Sequence, residues 1–235
     1  MQNKTLFIIP ARGGSKGIPY KNIKDFHGKP LIYYSIDLAR ELVNDEHICI
    51  STEDAQIIKK VQDYSLNVPF VRPEELATDT SSTNDVLLHA INHYESKNIF
   101  YDKIVLLQPT SPLRKKEHIL GANSLYSDTI DMVVSVKISN AGSVLCQEND
   151  NGFIESLFNK KGKRRQDIKD LYEYNGAIYI INVKSLKSKG LSNFSNNIKF
   201  IMPEINSIDI DTMYDWLLAE LLFKYSEPDY YNTDK

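Results

Sequence analysis

The chain of 235 residues contains only two cysteines, and it has little net charge and no long apolar segment. Cys49 and Cys146 provide neither a disulfide framework nor the spacing of a metal site, which is typical of proteins in a reducing cytoplasm. The 28 Lys and Arg residues nearly balance the 31 Asp and Glu residues, which argues against the clustered cationic face that nucleic acids and anionic membranes require. We therefore expect a cytoplasmic protein that binds neither.

The lack of long apolar segments also excludes a membrane-spanning helix, which needs roughly 20 apolar residues. The apolar stretch at residues 6–9 is too short for the core of a signal peptide. A chain of this length can bury roughly 70–75% of its unfolded surface, so it needs no disulfide or metal to hold a core. The prediction is a single domain over residues 1–235.

Short apolar segments alternate with segments of helical periodicity along most of the chain. Residues 6–9 and 104–107 are wholly apolar, as the buried strands of parallel sheets tend to be. This alternation predicts an α/β protein with a mostly parallel, Rossmann-like sheet flanked by helices. Residues 137–172 are polar and basic and interrupt the alternation. We interpret them as an arm inserted into the domain, and a disordered linker is the alternative.

A glycine-rich loop follows the first predicted strand, at a position where α/β proteins bind phosphates. Its glycines let the backbone approach an anion, Arg12 and Lys16 provide positive charge, and Ser15 provides a hydroxyl donor. The spacing matches neither the P-loop nor the dinucleotide fingerprint. We predict a phosphate site with Asn22 as a further donor, and the alternative is a flexible turn with a solvated lysine. The loop consists of Ala11, Arg12, Gly13, Gly14, Ser15, Lys16 and Gly17.

Two carboxylates near the end of the chain, Asp209 and Asp211, are separated by one residue. In an extended segment both project from one face, and hard oxygen ligands beside a triphosphate suit Mg²⁺. The alternative is that Asp211 caps a helix beginning near Thr212. Both roles are compatible if Asp209 is the main ligand, and the spacing alone does not decide between them.

These segments resemble the N-acylneuraminate cytidylyltransferases, or CMP-sialic acid synthetases, together with their legionaminate and pseudaminate relatives. The resemblance begins in the glycine loop with the downstream Lys21 and Asn22, and it covers nearly the whole chain in the same order. It implies a nucleotidyltransferase version of the predicted fold. The further matching segments are residues 51–54, 72–77, 79–80, 107–114, 175–179 and 208–212.

The resemblance implies that the enzyme joins CTP to a nine-carbon α-keto acid sugar and releases pyrophosphate. No covalent enzyme intermediate is implied, so positioning and charge neutralisation would provide most of the catalysis. Arg12, Lys16 and Asp211 would be catalytic, and Asp209 and Asp211 would hold Mg²⁺. The residues implied to bind the nucleotide are Arg12, Gly13, Gly14, Ser15, Lys16, Asn22, Arg72 (near the cytosine) and Ser82.

The resemblance also assigns the sugar site and a homodimer. Gln108 would hold the sugar from the carboxyl edge of the sheet, and a turn residue that caps Thr110 is the alternative. Arg165 and Gln166 would contact the sugar from the arm at 137–172, which in the family packs across the dimer interface. An ordinary solvated basic face is the alternative for this part of the arm.

One departure concerns the sugar. Glu173 and Tyr174 stand where many sialic acid enzymes have Arg-Pro, which replaces a cation near the sugar by a carboxylate and leaves the particular nonulosonic acid undetermined. Two alternative functions remain. A 3-deoxy-octulosonate cytidylyltransferase generally lacks the glycine-loop pattern found here. A non-catalytic CTP-binding regulatory protein would bind CTP without turnover, and it would be favoured if Lys16, Asp209 or Asp211 were lost.

Overall fold

The computed structural model describes residues 4–14, 17–139, 145–156 and 171–226, and within these ranges the chain forms ten strands and six α-helices. The strands are β1 (Thr5–Pro10), β2 (Asp25–Phe26), β3 (Lys29–Pro30), β4 (Ile48–Ser51), β5 (Lys103–Leu106), β6 (Met132–Ser139), β7 (Cys146–Glu148), β8 (Ile154–Ser156), β9 (Leu171–Asn182) and β10 (Asn197–Ile201). The α-helices are α1 (Leu31–Arg40), α2 (Ala55–Asp63), α3 (Thr83–Ser96), α4 (Lys116–Ser124), α5 (Val183–Lys189) and α6 (Met213–Ser226). None of these described helices is long and apolar enough to cross a membrane.

Six strands form the central sheet in the spatial order β10-β6-β9-β5-β1-β4. β1 is parallel to both β4 and β5, and β10 is parallel to β6, whereas β9 is antiparallel to both of its neighbours. Five strands therefore run in one direction and one runs against them. The predicted mostly parallel α/β sheet is confirmed, and the reversal of β9 is what the sequence pattern did not indicate.

The reversed direction of β9 brings its amino-terminal half to the edge where the parallel strands end. Leu106, the last residue of β5, pairs with Tyr179, so the residues before Tyr179 extend beyond β5. Gly176 has a φ of +71°, and a Cβ at this position would lie 2.7 Å from a carboxylate oxygen of Asp209. Glycine is therefore required here both by the backbone conformation and by the close approach of Asp209.

Hydrophobic side chains cover both faces of the sheet. Along β1, Phe7 and Ile9 pack with α1, α2 and α4 on one face, whereas Leu6 and Ile8 pack with α3 and α5 on the other. The side chains of a strand alternate between faces, so a wholly apolar strand is expected where both faces are covered. This packing explains why the buried strands lack a polar alternation.

A third apolar cluster attaches α6 and the short β2–β3 hairpin to the end of the sheet. Ile18 lies just after the glycine loop, Ile210 lies between the two aspartates, and Trp216 lies on α6. Trp216 is 2% exposed and is therefore a core residue. Because Ile18 and Ile210 share this cluster, apolar packing brings the glycine loop close to the aspartate pair.

We expect Phe26→Ala to lower the free energy of unfolding by about 3–5 kcal/mol. Phe26 has no exposed surface and meets the rings of Tyr34, Trp216 and Phe223 edge to face, at centroid distances of 5.4–5.6 Å. Denaturant unfolding measures the loss. The matched control, Phe100→Ala, removes a ring that is 61% exposed and should change stability by less than about 1 kcal/mol. Equal losses for both variants would contradict the packing argument.

The arm predicted at 137–172 has different boundaries in the structure. β6 continues to Ser139 and β9 begins at Leu171, and these two residues pair in the central sheet. Residues 137–139 and 171–172 therefore belong to that sheet, because the pairing of β6 with β9 continues into the polar segment. Between them, the described residues contain β7 and β8, which pair as an antiparallel hairpin. The role of the arm in a dimer stays a prediction.

Candidate active site

Two adjoining cavities lie at the carboxyl edge of the sheet, and a third extends from this edge over one face of the sheet. The first, of about 260 Å³, is lined by Arg12, Arg72 and several apolar side chains. The second, of about 370 Å³, is lined by Arg12, Lys21 and Asp211 among others. The third, of about 400 Å³, is mainly apolar and aromatic. Gln108, which follows β5, lines all three, so the tertiary structure brings residues of separate sequence motifs to one place.

The glycine loop packs tightly against its neighbours. A Cβ at Gly13 would overlap the carboxylate of Asp54, and a Cβ at Gly17 would overlap the backbone oxygen of Asp211. At Gly14 a Cβ would meet no atom within 4 Å. Two of the glycines are thus required for packing, and Gly14 lies on an open side where a ligand can approach the backbone.

Arg12 forms an ion pair with Asp79 in the loop before α3, with 2.6 Å between Nη1 and Oδ1. Arg12 lines both the first and the second cavity. The amide nitrogen of Asn22 donates a hydrogen bond to the backbone oxygen of Arg12 at 3.0 Å. This bond holds the loop in place. Asn22 also lines the second cavity, and its expected donation to the nucleotide stays a prediction.

Arg72 is a buried cation beside the first cavity, with 4% of its side chain exposed. Its Nη2 donates to Oε2 of Glu53 at 2.6 Å, and its backbone N–H donates to the carbonyl of Thr52 at 2.8 Å. Its Nε is buried and has no hydrogen-bond partner among the described residues. The position agrees with the expected role in nucleotide binding, and the orientation of the side chain is set by Glu53.

The two aspartates occupy different environments. Asp209 is half-buried, and its Oδ1 is buried without a hydrogen-bond partner among the described residues. Burial raises the pKa of Asp209, because desolvation disfavours the charged carboxylate, and the hydroxyl of Thr110 opposes this change. The carboxylate of Asp211 is 74% exposed and accepts a hydrogen bond from Lys21 Nζ at 3.0 Å. Lys21 also donates to the backbone oxygen of Ile210.

The alternative in which Asp211 caps the following helix is wrong. Oδ2 of Asp215 accepts hydrogen bonds from the backbone N–H of Thr212 at 2.7 Å and of Asp211 at 3.2 Å. The hydroxyl of Thr212 in turn accepts from the backbone N–H of Asp215 at 3.3 Å. This reciprocal pattern is a capping box made by Thr212 and Asp215. The Asp211 side chain is therefore available for another role.

The aspartate pair fits a hard divalent cation that is shared with a ligand. The unpartnered oxygen of Asp209 is costly to bury unless it binds a cation or a donor. The described residues contain no group of three or more His, Cys, Asp or Glu side chains that could hold a metal. A metal ion at Asp209 and Asp211 would need further oxygen ligands from phosphates and water, which is how Mg²⁺ is commonly bound.

The family to which the chain belongs follows from comparison with known sequences. A family of proteins described as "Cytidylyltransferase" matches residues 6–205. The chain belongs to the cytidylyltransferase family. The matched region includes the glycine loop, Arg72 and Gln108, which line the cavities at the carboxyl edge, and it ends shortly before the aspartate pair.

Curated relatives of this cytidylyltransferase act in nonulosonic acid activation according to their names. The chain is 34% identical to the CMP-N,N'-diacetyllegionaminic acid synthase of Legionella pneumophila subsp. pneumophila, over 95% of this chain and 98% of the relative. It is 33% identical to the pseudaminic acid cytidylyltransferase of Campylobacter jejuni subsp. jejuni serotype O:2, over 94% and 97%. It is 36% identical to the N-acylneuraminate cytidylyltransferase of Streptococcus agalactiae serotype V over 95% of this chain, which spans about half (54%) of that longer protein.

Solved structures share the fold at low sequence identity. A CMP:2-keto-3-deoxy-manno-octonic acid synthetase complexed with CTP has a TM-score of 0.66 at 15% identity, covering 95% of this chain and all of the other. The 4-diphosphocytidyl-2C-methyl-D-erythritol synthase of Anaerococcus prevotii has a TM-score of 0.62 at 13% identity, covering 94% and 99%. These similarities confirm the nucleotidyltransferase fold. The octonic acid synthetase is only a distant structural neighbour.

The third cavity of this cytidylyltransferase is lined by aromatic and apolar side chains. Tyr174, Tyr179 and Phe194 contribute rings, and Gln108 contributes an amide. Tyr174 is 69% exposed, whereas Tyr179 is mostly buried. The lining within the described residues contains no charged side chain. This cavity suits a ligand with apolar substituents that is oriented by Gln108.

The carboxylate introduced by the Glu173–Tyr174 departure lies in an ion pair. Glu173 Oε2 lies 3.2 Å from Lys137 Nζ across β6 and β9, and the hydroxyl of Ser139 donates to Glu173 Oε1. These contacts lower the pKa of Glu173, with the Ser139 hydrogen bond as the largest cause. The described lining of the third cavity includes Tyr174 but not Glu173. The expected carboxylate is thus neutralised by Lys137, and Tyr174 is the part of the departure that reaches the cavity.

The predicted site residue Ser82 does not line the cavities, and four other predicted residues lie outside the residues that the structure describes. Ser82 is the N-cap of α3, where its hydroxyl accepts from the backbone N–H of Asp85 at 3.1 Å. The lining of the first cavity includes its neighbours Ser81 and Thr83, but not Ser82. The predicted residues that lie outside the described residues are Ser15, Lys16, Arg165 and Gln166.

Three charged residues of the site lie inside the recognised motifs, yet sequence reasoning assigned them no role. Lys21 reaches Asp211, a partner 190 positions away in the chain. Glu53 joins Gly13 to Arg72 (40 and 19 positions away).

Arg114, the third of these residues, is buried, and its Nη1 donates to the backbone oxygen of Ala177 at 2.7 Å. Burial lowers the pKa of Arg114, and the carboxylate of Asp209 opposes that change. The motifs that contain these three residues indicate that they belong to the site, but only the tertiary fold shows which groups they contact.

Proposed function

We propose that this cytidylyltransferase transfers CMP from CTP to the anomeric hydroxyl of a nine-carbon α-keto acid sugar and releases pyrophosphate. One observation carries the proposal: the glycine loop and Asp211 line one cavity, and Gln108 is shared by this cavity, the cavity beside Arg72 and a mainly apolar third cavity. Asp209 lies next to Gln108 at Gly176. Curated relatives with 33–36% identity are named for legionaminic, pseudaminic and neuraminic acids. The names agree on the sugar class and differ in the particular sugar.

The nucleotide fits the first and second cavities. Leu76, Val86 and Leu87 provide apolar surface in the first cavity, beside the guanidinium of Arg72, and a planar base suits this combination. The triphosphate would extend from there past Arg12 to the glycine loop. Its negative charge would replace the carboxylate of Asp79 as the partner of Arg12. By family resemblance Lys16 and Ser15 would add further donors.

Asp209 and Asp211 would hold Mg²⁺ in this reaction. When bound, the ion would neutralise charge on the phosphates. Lys21 keeps the Asp211 carboxylate in place through a hydrogen bond at 3.0 Å, and it is itself buried. The sugar hydroxyl would attack the α-phosphorus as the bond to pyrophosphate breaks. Arg12 and Lys16 would neutralise the departing charge.

The sugar fits the third cavity, with Gln108 at the boundary to the nucleotide. Because the described lining of this cavity has no cation, the carboxylate of the sugar needs a partner from elsewhere. Arg165 and Gln166 of the arm are the residues that the family resemblance provides, and a guanidinium suits a carboxylate well. In a homodimer they would reach the site of the second subunit.

A coupled assay of pyrophosphate release tests the proposed function. The protein is mixed with CTP and Mg²⁺ and, in separate reactions, with N-acetylneuraminic, legionaminic, pseudaminic and 3-deoxy-octulosonic acids. We expect release with at least one nine-carbon sugar. Release with the eight-carbon sugar alone would favour the octulosonate enzyme. CTP binding without any release would favour a regulatory protein, and either result overturns the proposal.

We expect a dimer in solution and its disruption by Phe153→Asp. The described part of the arm exposes apolar side chains, because Phe153 and Ile154 are 70% and 68% exposed in the single chain. Exposed apolar groups that cluster on one hairpin are typical of an interface. Light scattering should give the mass of two chains for the parent protein and of one chain for the variant. The control Phe100→Ala, at an exposed ring far from the arm, should remain dimeric; a monomeric parent protein would contradict the expectation.

A further inference from the structure

Glu53 links two parts of the nucleotide site. Its Oε1 accepts a hydrogen bond from the backbone N–H of Gly13 at 2.7 Å, and its Oε2 accepts one from Nη2 of Arg72 at 2.6 Å. The side chains of Glu53 and Arg72 are 17% and 4% exposed, so the ion pair is largely shielded from solvent. Charge-assisted hydrogen bonds of this kind are short and directional.

The contacts with residues 52 and 53 fix both ends of Arg72. The backbone N–H of Arg72 donates to the carbonyl of Thr52, and Val71 forms a parallel bridge with Thr52. At the other end, the bond from Nη2 to Glu53 sets the plane of the guanidinium, whose donors have a rigid arrangement. The Nε–H is buried without an acceptor among the described residues. A buried donor of this kind points to an acceptor on a ligand.

The chemistry of the cavities favours the base, rather than the phosphates, beside Arg72. The second cavity contains Gly17, Lys21 and Asp211, which suit phosphates and a cation. The first cavity has apolar side chains beside Arg72, and only Arg12 among the cationic residues is common to both. A planar arginine with two donors matches a base edge that has two adjacent acceptors. Cytosine presents such an edge at O2 and N3, whereas uracil carries a hydrogen at N3.

We propose that Glu53 is a positioning residue that orients Arg72 toward the adjacent acceptors of cytosine and thereby sets the preference for CTP over UTP. The inference rests on the proposed function, because it requires a nucleotide in the first cavity. Glu53 acts through Arg72 and Gly13 and touches no substrate itself. Without the Glu53 carboxylate, the guanidinium of Arg72 can rotate to fit cytosine or uracil, or turn toward the phosphates. The preference for CTP over UTP therefore falls more than the rate of catalysis.

The test compares kcat/KM for CTP and for UTP at a saturating concentration of the accepted sugar. Glu53→Gln can still accept the bond from Gly13 but has no charge for Arg72. We expect the CTP/UTP ratio to fall about tenfold or more, mainly through a higher KM for CTP. Glu53→Asp keeps the charge on a shorter side chain and should give an intermediate ratio. Glu74→Gln makes the same charge change at an exposed residue near Arg72 and should leave the ratio unchanged.

An unchanged CTP/UTP ratio in Glu53→Gln would overturn the inference, whether or not overall activity falls, because equal losses with both nucleotides indicate a structural role alone. If Glu53→Gln shows no cooperative thermal unfolding and is therefore not folded, the CTP/UTP ratio of Glu53→Asp decides in the same way. A parent protein that turns over no CTP would contradict the proposed function instead. In that case calorimetry measures the affinities for CTP and UTP, and their ratio is compared between the parent protein and each variant.

Discussion

Asp209→Asn should lower kcat/KM by about 10²–10³ while leaving the fold intact. The amide has nearly the shape of the carboxylate but cannot balance the charge of a divalent cation. Burial raises the pKa of Asp209, so its ionised form destabilises the folded protein at neutral pH. Removing the charge should therefore leave the free energy of unfolding in metal-free buffer unchanged or increase it. Steady-state kinetics over a range of Mg²⁺ concentrations, together with denaturant unfolding, measures both effects.

The matched control is Glu204→Gln, which removes an exposed carboxylate five residues earlier in the same segment and should change neither property. Asp211→Asn should lose both activity and stability, because it also removes the partner of the buried Lys21. Near-normal turnover and an unchanged Mg²⁺ dependence in Asp209→Asn would show that this carboxylate does not hold the ion. The proposed metal site would then be wrong.

Lys21→Met should lower kcat/KM by about a hundredfold and also destabilise the protein by roughly 1–3 kcal/mol, mainly through the lost donor of a buried carbonyl, since the Asp211 carboxylate is exposed. The Lys21 ammonium is buried and donates to the Asp211 carboxylate and to the carbonyl of Ile210. Methionine fills a similar volume but donates no hydrogen bond, so Asp211 loses its fixed position and the buried carbonyl loses a donor. Kinetics with CTP and thermal unfolding test the two expectations.

The comparison for this prediction is Lys24→Met, three residues along the same turn. Lys24 is exposed and lies over the ring of Trp216 at 5.3 Å, so its loss changes the net charge equally but leaves the aspartate pair untouched. We expect a change in kcat/KM of less than about threefold. A similar loss of activity in both variants would indicate a general effect of charge and would contradict a specific role of Lys21.

The local patterns were sufficient for most of the fold. Residues 6–9 and 104–107 are wholly apolar, which is a local property and predicts buried strands. The structure gives the reason, because helices cover both faces of the sheet. The direction of β9 was not recognisable, because a strand of either direction has the same side-chain alternation. The arm was assigned five residues that belong to the central sheet. Their polarity reflects exposure at the end of a strand rather than the end of pairing.

Local motifs also predict part of the site. Arg12, Arg72, Gln108 and Asp211 line the adjoining cavities, as their motifs indicated. Two other residues that the motifs assign to the nucleotide, Asn22 and Ser82, make local contacts in the structure, and their binding roles stay predictions. The amide of Asn22 holds the loop, while Ser82 caps α3 and Thr212, rather than Asp211, caps α6. Short polar residues bond readily to nearby backbone, and this competition is decided only when the helix ends are known.

The sequence by itself determined the family, the α/β pattern and the residue types that would meet phosphates and a metal, because these depend on short motifs and on periodicity. Only the tertiary structure decided which groups pair. It placed Glu53 between Gly13 and Arg72, Lys21 under Asp211, and an uncharged aromatic cavity beside Gln108. Ion pairs and hydrogen bonds act over a few ångströms, so partners 19 to 190 positions apart in the chain become neighbours only after the core has packed.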